Sequence, residues 1–477
     1  MRRVTIASGV AIALVLGGCT DDDRGPAGPP SASAPSTPAP SFAPGAEGIG
    51  DPYFPTYGNG GYDVAGYDLK LRYDPESGRL NGTAAITATA TQDLSRFNLD
   101  LAHLAARRVT VDGTAARAEA DGNELVVTPA AGIVKGRSFT VVVDYSGEPR
   151  AIRNETLGTG GWLRTADGAV ALGQPESAST WFPVNDHPID KATFRLAMTV
   201  PDGLEALSNG VPGKRAAADG WTTWTWAESA PMASYLATVV IGQYRVISTT
   251  HHGKPMVNGI PVSLPADGPA ARSIARTGEI ADFLATRFGP YPFDAYGGIV
   301  IDDDRVGYAL ETQTRPVYGD IFFRSGRNEV VVAHELAHQW FGDSVALERW
   351  QDIWLNEGFA TYAEWLWLDH EGEATTDQIF ERNYRRMDWT TKPGEPGPAR
   401  LFSSAVYIRG GMTVHALRKT IGDEAFFGLL KSWATENRNG NATTEEFIAA
   451  AERAAGGKNL DPFFQDWLFG TTRPPHP

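Results

Sequence analysis

His334-Glu335-Leu336-Ala337-His338, with Glu357 further along, is the group of residues in this chain best suited to chemistry. On a helix, residues four apart share a face, so two imidazoles at this spacing can point at one ion. Glu335 lies between them and can flank a metal as a base. The stretch from His338 to Glu357 leaves room for a loop and a second helix that returns a carboxylate to the same point. Two nitrogens and one oxygen leave a fourth tetrahedral position for water, the mark of a catalytic zinc site able to hydrolyse an amide bond. One Zn2+ per chain is expected. Val330, Val331, Val332, Leu336 and Ala337 make the helix too apolar for a free surface, and Trp340 and Phe341 are expected to extend it inward. A buried helix carrying His, Glu and His needs partners for them, and a metal supplies partners.

The second helix would carry Trp354, Leu355, Phe359 and Tyr362 as packing residues. Glu364, two turns beyond Glu357, is placed to accept a hydrogen bond from the far nitrogen of a zinc-bound histidine and fix its tautomer.

The elements that must hold these residues fall into two blocks. From Asp51 to about Val246 the runs are short, β-rich and mostly of period two. They include Tyr67 to Tyr73, Ala84 to Ala90, Glu124 to Thr128, Phe139 to Tyr145, Phe194 to Val200, Gly220 to Trp226 and Leu236 to Val246. This predicts an all-β module, a large curved sheet or sandwich. Beyond about Ser263 the period becomes helical, beginning with Ile280, Phe283, Leu284 and Phe288 and ending at Gly289-Pro290. A β segment is expected at Gly298 to Asp302. After the two metal-bearing helices, further helices are expected at Thr376 to Asp388, Ala405 to Thr420, Asp423 to Thr435, Thr444 to Ala454 and Leu460 to Leu468. The fold class is therefore α+β, a β-domain over 51–248 followed by a mainly helical catalytic domain over 249–477.

Two N-terminal segments precede this. Arg2, Arg3 and the apolar run Val10 to Leu16 read as a secretory signal over 1–18, too short for a comfortable membrane span. Leu16-Gly17-Gly18-Cys19 resembles the lipobox of bacterial lipoproteins, and Cys19 is the only cysteine in the chain. The expectation is lipid attachment at Cys19 and tethering outside the cytoplasmic membrane, with secretion as the alternative. The lone cysteine also excludes thiolate zinc ligands and intramolecular disulfides. Residues 19–50, rich in Pro, Ala and Ser, read as an extended spacer. A formal charge of −15 argues against nucleic acid as a partner.

His334-Glu335-Leu336-Ala337-His338-Gln339-Trp340-Phe341-Gly342 and Trp354-Leu355-Asn356-Glu357-Gly358-Phe359-Ala360 resemble the aminopeptidase N family of zinc metallopeptidases, a branch of the gluzincins. The resemblance implies a saddle-shaped β-domain followed by a thermolysin-like domain, in a short form lacking a C-terminal helical domain. It implies removal of the N-terminal residue from peptides with a free N-terminus, with Glu335 as general base. Three further stretches carry implied roles. Gly307-Tyr308-Ala309-Leu310-Glu311-Thr312 is similar to the segment on a cleft-edging strand that binds the substrate's α-ammonium, through Glu311; Leu310 and Thr312 depart from the usual Met and Asn. Gln174-Pro175-Glu176 is similar to the β-domain segment that adds polar contacts to that amine pocket, through Gln174 and Glu176. Tyr407-Ile408-Arg409-Gly410 is similar to the segment whose tyrosine faces the developing oxyanion, with Arg409 where the family has Lys. An endopeptidase or an epoxide hydrolase on the same scaffold, and a catalytically weak lipid-anchored binding protein, stand as alternatives. Asp302-Asp303-Asp304 reads as a solvated loop, and Asp186-His187 has no visible partner motif.

Overall fold

The computed structural model describes residues 41–154 and 157–477. The signal segment and Cys19 lie outside the described residues. No described helix is long and apolar enough to cross a membrane.

Alternation along the chain builds the first domain. In Tyr62–Asp74 the side chains of Tyr67, Leu69, Leu71 and Tyr73 turn inward, while Asp68, Lys70 and Arg72 lie on the other face. This strand pairs antiparallel with Arg79–Ala90 and parallel with Lys191–Pro201 at the centre of a nine-stranded sheet. Its inner face packs on Trp162, Trp181 and Phe182. A five-stranded sheet continues the domain in the order Ala151–Asn154, Gly158–Arg164, Ala169–Leu172, Val239–Gly242 and Glu205–Ser208.

Two expected boundaries shift. The division at 248/249 would cut a hairpin, because Tyr244–His251 pairs with Lys254–Pro261, and the latter runs parallel to Tyr296–Ile301. The second domain's sheet thus begins at Tyr244. The run Leu236 to Val246 is not one strand. Val239–Gly242 closes the β-domain sheet, and the chain crosses to the next sheet at Gln243. The spacer expected to reach residue 50 also ends earlier: Ala43–Pro44 pairs parallel with Leu94–Asp100.

The second domain sets a five-stranded sheet, ending at the edge pair Val317–Gly319 and Ala309–Leu310, against a helical layer. Trp354–His370 runs through the middle of that layer. It is buried on nearly every face, which is why its sequence is apolar all round. The helices Thr376–Arg386, Asp423–Glu436 and Thr444–Ala454 lie where the periodicity puts them. The expected helix Ala405 to Thr420 starts as a π-turn over Ala405–Arg409 and becomes α over Gly410–Ile421.

Buried cations join the domains through backbone carbonyls. Arg315 is fully buried and donates to Ser208 and Gly210 of the β-domain and to Val257 of the second sheet. Lys191 donates to the carbonyls of Asp343 (2.8 Å), Ser344 (2.9 Å) and Gly440 (3.2 Å). Asp51 reaches across as well. Its Oδ2 accepts from the Trp350 backbone at 2.8 Å and pairs with His187 at 3.2 Å, giving that histidine a partner the sequence did not reveal. Arg315→Met should strand three carbonyls and lower stability by about 3 kcal/mol, read as a lower urea midpoint; an unchanged midpoint would show that the carbonyls find water.

Candidate metal centre and substrate cleft

Asn328 caps the first metal-bearing helix, accepting from the backbone N–H of Val331 at 3.2 Å. The helix spans Glu329–Ala337 and is capped at its C-terminus by His338. It does not continue through Trp340 and Phe341 as expected. Gly342, at φ 130°, turns the chain. Trp340 then donates its indole N–H to the Gly289 carbonyl, and Phe341 stacks on Phe359 at 4.6 Å between ring centroids. These contacts bind the first helix to its neighbours and to the Glu357 helix.

The two imidazoles are oriented from behind. His334 Nδ1 lies 2.6 Å from Glu364 Oε1, the contact anticipated for Glu364. His338 Nδ1 lies 3.1 Å from the Phe341 carbonyl oxygen. Both contacts favour the Nδ1–H tautomer, so both Nε2 lone pairs face inward. They converge on Glu357 Oε2, at 3.3 Å from His334 and 3.5 Å from His338. Ligands held about 2.0–2.1 Å from a tetrahedral zinc stand roughly 3.4 Å from one another. The donor set and its spacing therefore fit Zn2+. His251 and His252, at a hairpin tip, group with Asp282 of the helix Thr277–Phe288, but their 2.9 and 2.8 Å distances to its Oδ1 are those of hydrogen bonds.

Electrostatics also favour a cation here. Burial opposes the charged form of Glu357, yet in the metal-free site protonated His338 and His334 outweigh it and hold its carboxyl below the usual range. Burial pushes Glu335 up to about 8, against the pull of both histidines. Glu311 is raised as well, by burial first and also by the charge of Glu357. Crowded carboxylates in a dry site call for positive charge.

Tyr407 enters from the π-turn, its ring stacked on His334 at 5.8 Å between centroids. Such turns often mark functional sites. Its hydroxyl stays protonated, its pKa raised by burial and by the charges of Glu357, Glu311 and Glu335. Two glycines permit this close approach: a Cβ on Gly410 would lie 2.9 Å from the Gly358 Cα. Arg409 faces away from the cleft. It is fully buried and donates to the carbonyls of Trp389, Thr391, Asp466, Trp467 and Gly470, tying the π-turn to the C-terminal segment.

Glu311 follows the edge strand Ala309–Leu310. Its side chain falls with Glu335 and His338 in a cluster whose ligand atoms all lie within 4.8 Å of one another. Gln339 fixes this approach: its Nε2 donates to the Glu311 carbonyl (3.1 Å) and its Oε1 accepts from the Thr314 N–H (2.7 Å). Gln339 was not anticipated, although its place directly after His338 was the available signal. Gln174 lines the same cleft and its Nε2 donates to Glu311 Oε1 at 3.3 Å. Glu176 does not join them. It accepts from the Tyr57 hydroxyl at 3.0 Å and sits near Asp186, away from the cleft lining. Residues 173–177 are not a strand, so residues two apart need not share a face. The cleft encloses about 380 Å³; Tyr308, Phe322, Val330 and Val331 form apolar wall beside the acids and histidines.

The model described as the peptidase family M1 domain matches residues 290–467, and that of the peptidase M1 N-terminal domain matches residues 64–236. Between them they span most of the chain. The chain belongs to peptidase family M1. It is 28% identical over 430 residues to aminopeptidase M1-B of Oryza sativa subsp. japonica, covering 82% of this chain and 48% of that protein. It is 30% identical over 308 residues to glutamyl aminopeptidase of Sus scrofa, covering 59% of this chain and 32% of that protein. The chain spans about half the length of the curated relatives it matches first. Among solved structures, a mutant M1 zinc metallopeptidase from Deinococcus radiodurans bound to a Tyr-Ser-Ala substrate superposes with a TM-score of 0.81 at 29% identity, covering 90% of this chain and 99% of that one. A two-domain M1 zinc metallopeptidase mutant bound to L-arginine gives a TM-score of 0.82 at 28% identity, covering 90% and 99% of the two chains. The β-domain and helical catalytic domain of this M1 chain thus share the architecture of those enzymes.

Glu364→Gln should weaken zinc binding about 10- to 100-fold, measured by competition with a chromophoric chelator. Gly410→Ala should force the two helices apart and reduce bound zinc in the purified protein; full zinc content with a normal melting curve would contradict the packing account.

Proposed function

We propose that this M1 chain is a zinc-dependent aminopeptidase that removes the N-terminal residue of peptides. One observation carries the reading: Glu311 stands in the same cleft as the His334, His338 and Glu357 set, within reach of Glu335. A carboxylate beside the reacting centre gives an α-ammonium a place to bind and so selects the first peptide bond. The neighbours bound to a peptide and to an amino acid support it.

His334, His338 and Glu357 would hold the metal. Zinc, when bound, supplies Lewis acidity, polarising a carbonyl and lowering the pKa of water. Glu335 takes the proton from a water in the cleft as its oxygen attacks the scissile carbonyl, and then delivers that proton to the leaving amine. Glu335 sits between the two histidines in sequence and lines the same cleft, which places its carboxylate for both transfers. The Tyr407 hydroxyl, protonated throughout, donates to the carbonyl oxygen as negative charge develops there. Gln174 and Glu311 hold the amine end, and the apolar wall receives the first side chain.

The reading extends to location: a lipid on Cys19 tethers the enzyme outside the cytoplasmic membrane. Fatty-acid labelling that disappears in Cys19→Ala supports this, and label surviving the substitution refutes it.

Glu335→Gln should keep its zinc while kcat falls by at least about 100-fold. Tyr407→Phe should lower kcat about 100-fold with little change in KM; a pure KM effect would remove the oxyanion role. Chelator should abolish turnover, and N-acetylated peptides should resist cleavage. Equal cleavage of free and acetylated peptides would overturn the exopeptidase reading.

A further inference from the structure

Glu311 is 2% exposed, and a carboxylate so buried cannot rely on water to aim it. Two donors meet at its Oε1, both from the β-domain. Gln174 is one; the other is Tyr235, whose hydroxyl lies 2.9 Å away. Among the described residues no side-chain donor reaches Oε2, which is left for a ligand. Tyr235 matched no motif in the sequence. It sits in the 3-10 turn Ser234–Leu236 and is 1% exposed.

Tyr235 is itself held in place. Its ring meets Trp350 edge-on at 5.4 Å between centroids. The backbone N–H of Trp350 donates to Asp51, and Phe54 packs on the indole at 6.5 Å. On the other side, the Ser234 hydroxyl donates to Asp186 Oδ1 at 2.7 Å. The phenol therefore approaches Glu311 on a mount made from both domains together with Asp51 and Phe54.

Building on the aminopeptidase reading, we propose that Tyr235 is a positioning residue for substrate recognition: its hydroxyl fixes one oxygen of Glu311 so that the other faces the α-ammonium of the peptide. A neutral donor suits this task. A second cation would neutralise Glu311 and compete with the substrate amine, whereas a phenol orients the carboxylate and leaves its charge intact. Tyr235 stays protonated, because burial and the neighbouring Glu311 charge both raise its pKa well above the ordinary value. It touches Glu311 and acts through it, so its loss should weaken binding of the amine more than the chemical step.

Tyr235→Phe, in the zinc-loaded full chain, is the test. Phe preserves the ring contact with Trp350 and deletes only the donor. KM for aminoacyl p-nitroanilides should rise about 10-fold or more, with kcat changing less than about twofold. By calorimetry, the Kd of free L-tryptophan should rise by a similar factor, while binding of N-acetyl-L-tryptophan and the melting temperature stay as in the wild type. Unchanged KM and Kd would overturn the proposal, and so would parallel losses for free and acetylated ligands, since those report core damage. Failure of the aminopeptidase reading is a separate result. It would appear as a zinc-loaded wild type that does not cleave free-amine substrates, whereas a fully active wild type with an indifferent Tyr235→Phe condemns the Tyr235 inference alone.

Discussion

Two imidazoles and a carboxylate share one small, buried volume, and the rest of this structure answers to that constraint. His334, His338 and Glu357 are each buried, and Glu335 and Glu311 crowd the same space. Such a cluster is unstable without a cation, because burial penalises every uncompensated charge. The Nδ1 contacts of the histidines, to Glu364 and to the Phe341 carbonyl, turn both free lone pairs to one point before any metal arrives. Organisation of this kind reduces the reorganisation needed on binding.

The geometry has a mechanical basis. The Glu357 helix is the central element of its domain and is wrapped in aromatic side chains, so its carboxylate has little freedom. The Tyr407 segment crosses it where Gly358 meets Gly410, which puts the phenol ring over His334. Arg409 secures that segment from behind through carbonyls in the C-terminal stretch. A charge without a carboxylate partner, held by several backbone oxygens, recurs at Arg315 and Lys191, where the two domains meet.

The domain junction shapes the cleft as well as contributing stability. Glu311 belongs to the second domain, while its donors Gln174 and Tyr235 belong to the first. The Glu311 end of the cleft is therefore assembled only when the domains are docked. The candidate metal set and the Glu311 cluster reside on different parts of the chain: the first on two packed helices, the second on the seam between domains.

The sequence alone pointed to the His334, His338 and Glu357 set, to Glu335 beside it and to most elements that carry them. Helical spacing forces His334 and His338 onto one face, and the apolar runs on both helices require burial whatever the surroundings. The β-to-helix change was also legible, since period-two alternation and helical period are local properties. The family resemblance pointed to Glu311 and Tyr407, and the structure brings both to the cleft. Tertiary structure decided the rest. Glu176 and Gln174 are two residues apart, yet only Gln174 faces Glu311, because the path of an irregular segment is set by its packing. The strand expected over Leu236 to Val246 splits between two sheets because pairing partners are distant in sequence. The partnership of Tyr235 with Glu311 spans 76 residues and that of Asp51 with Trp350 spans 299. No local pattern encodes such contacts, because they arise from how whole domains close on one another.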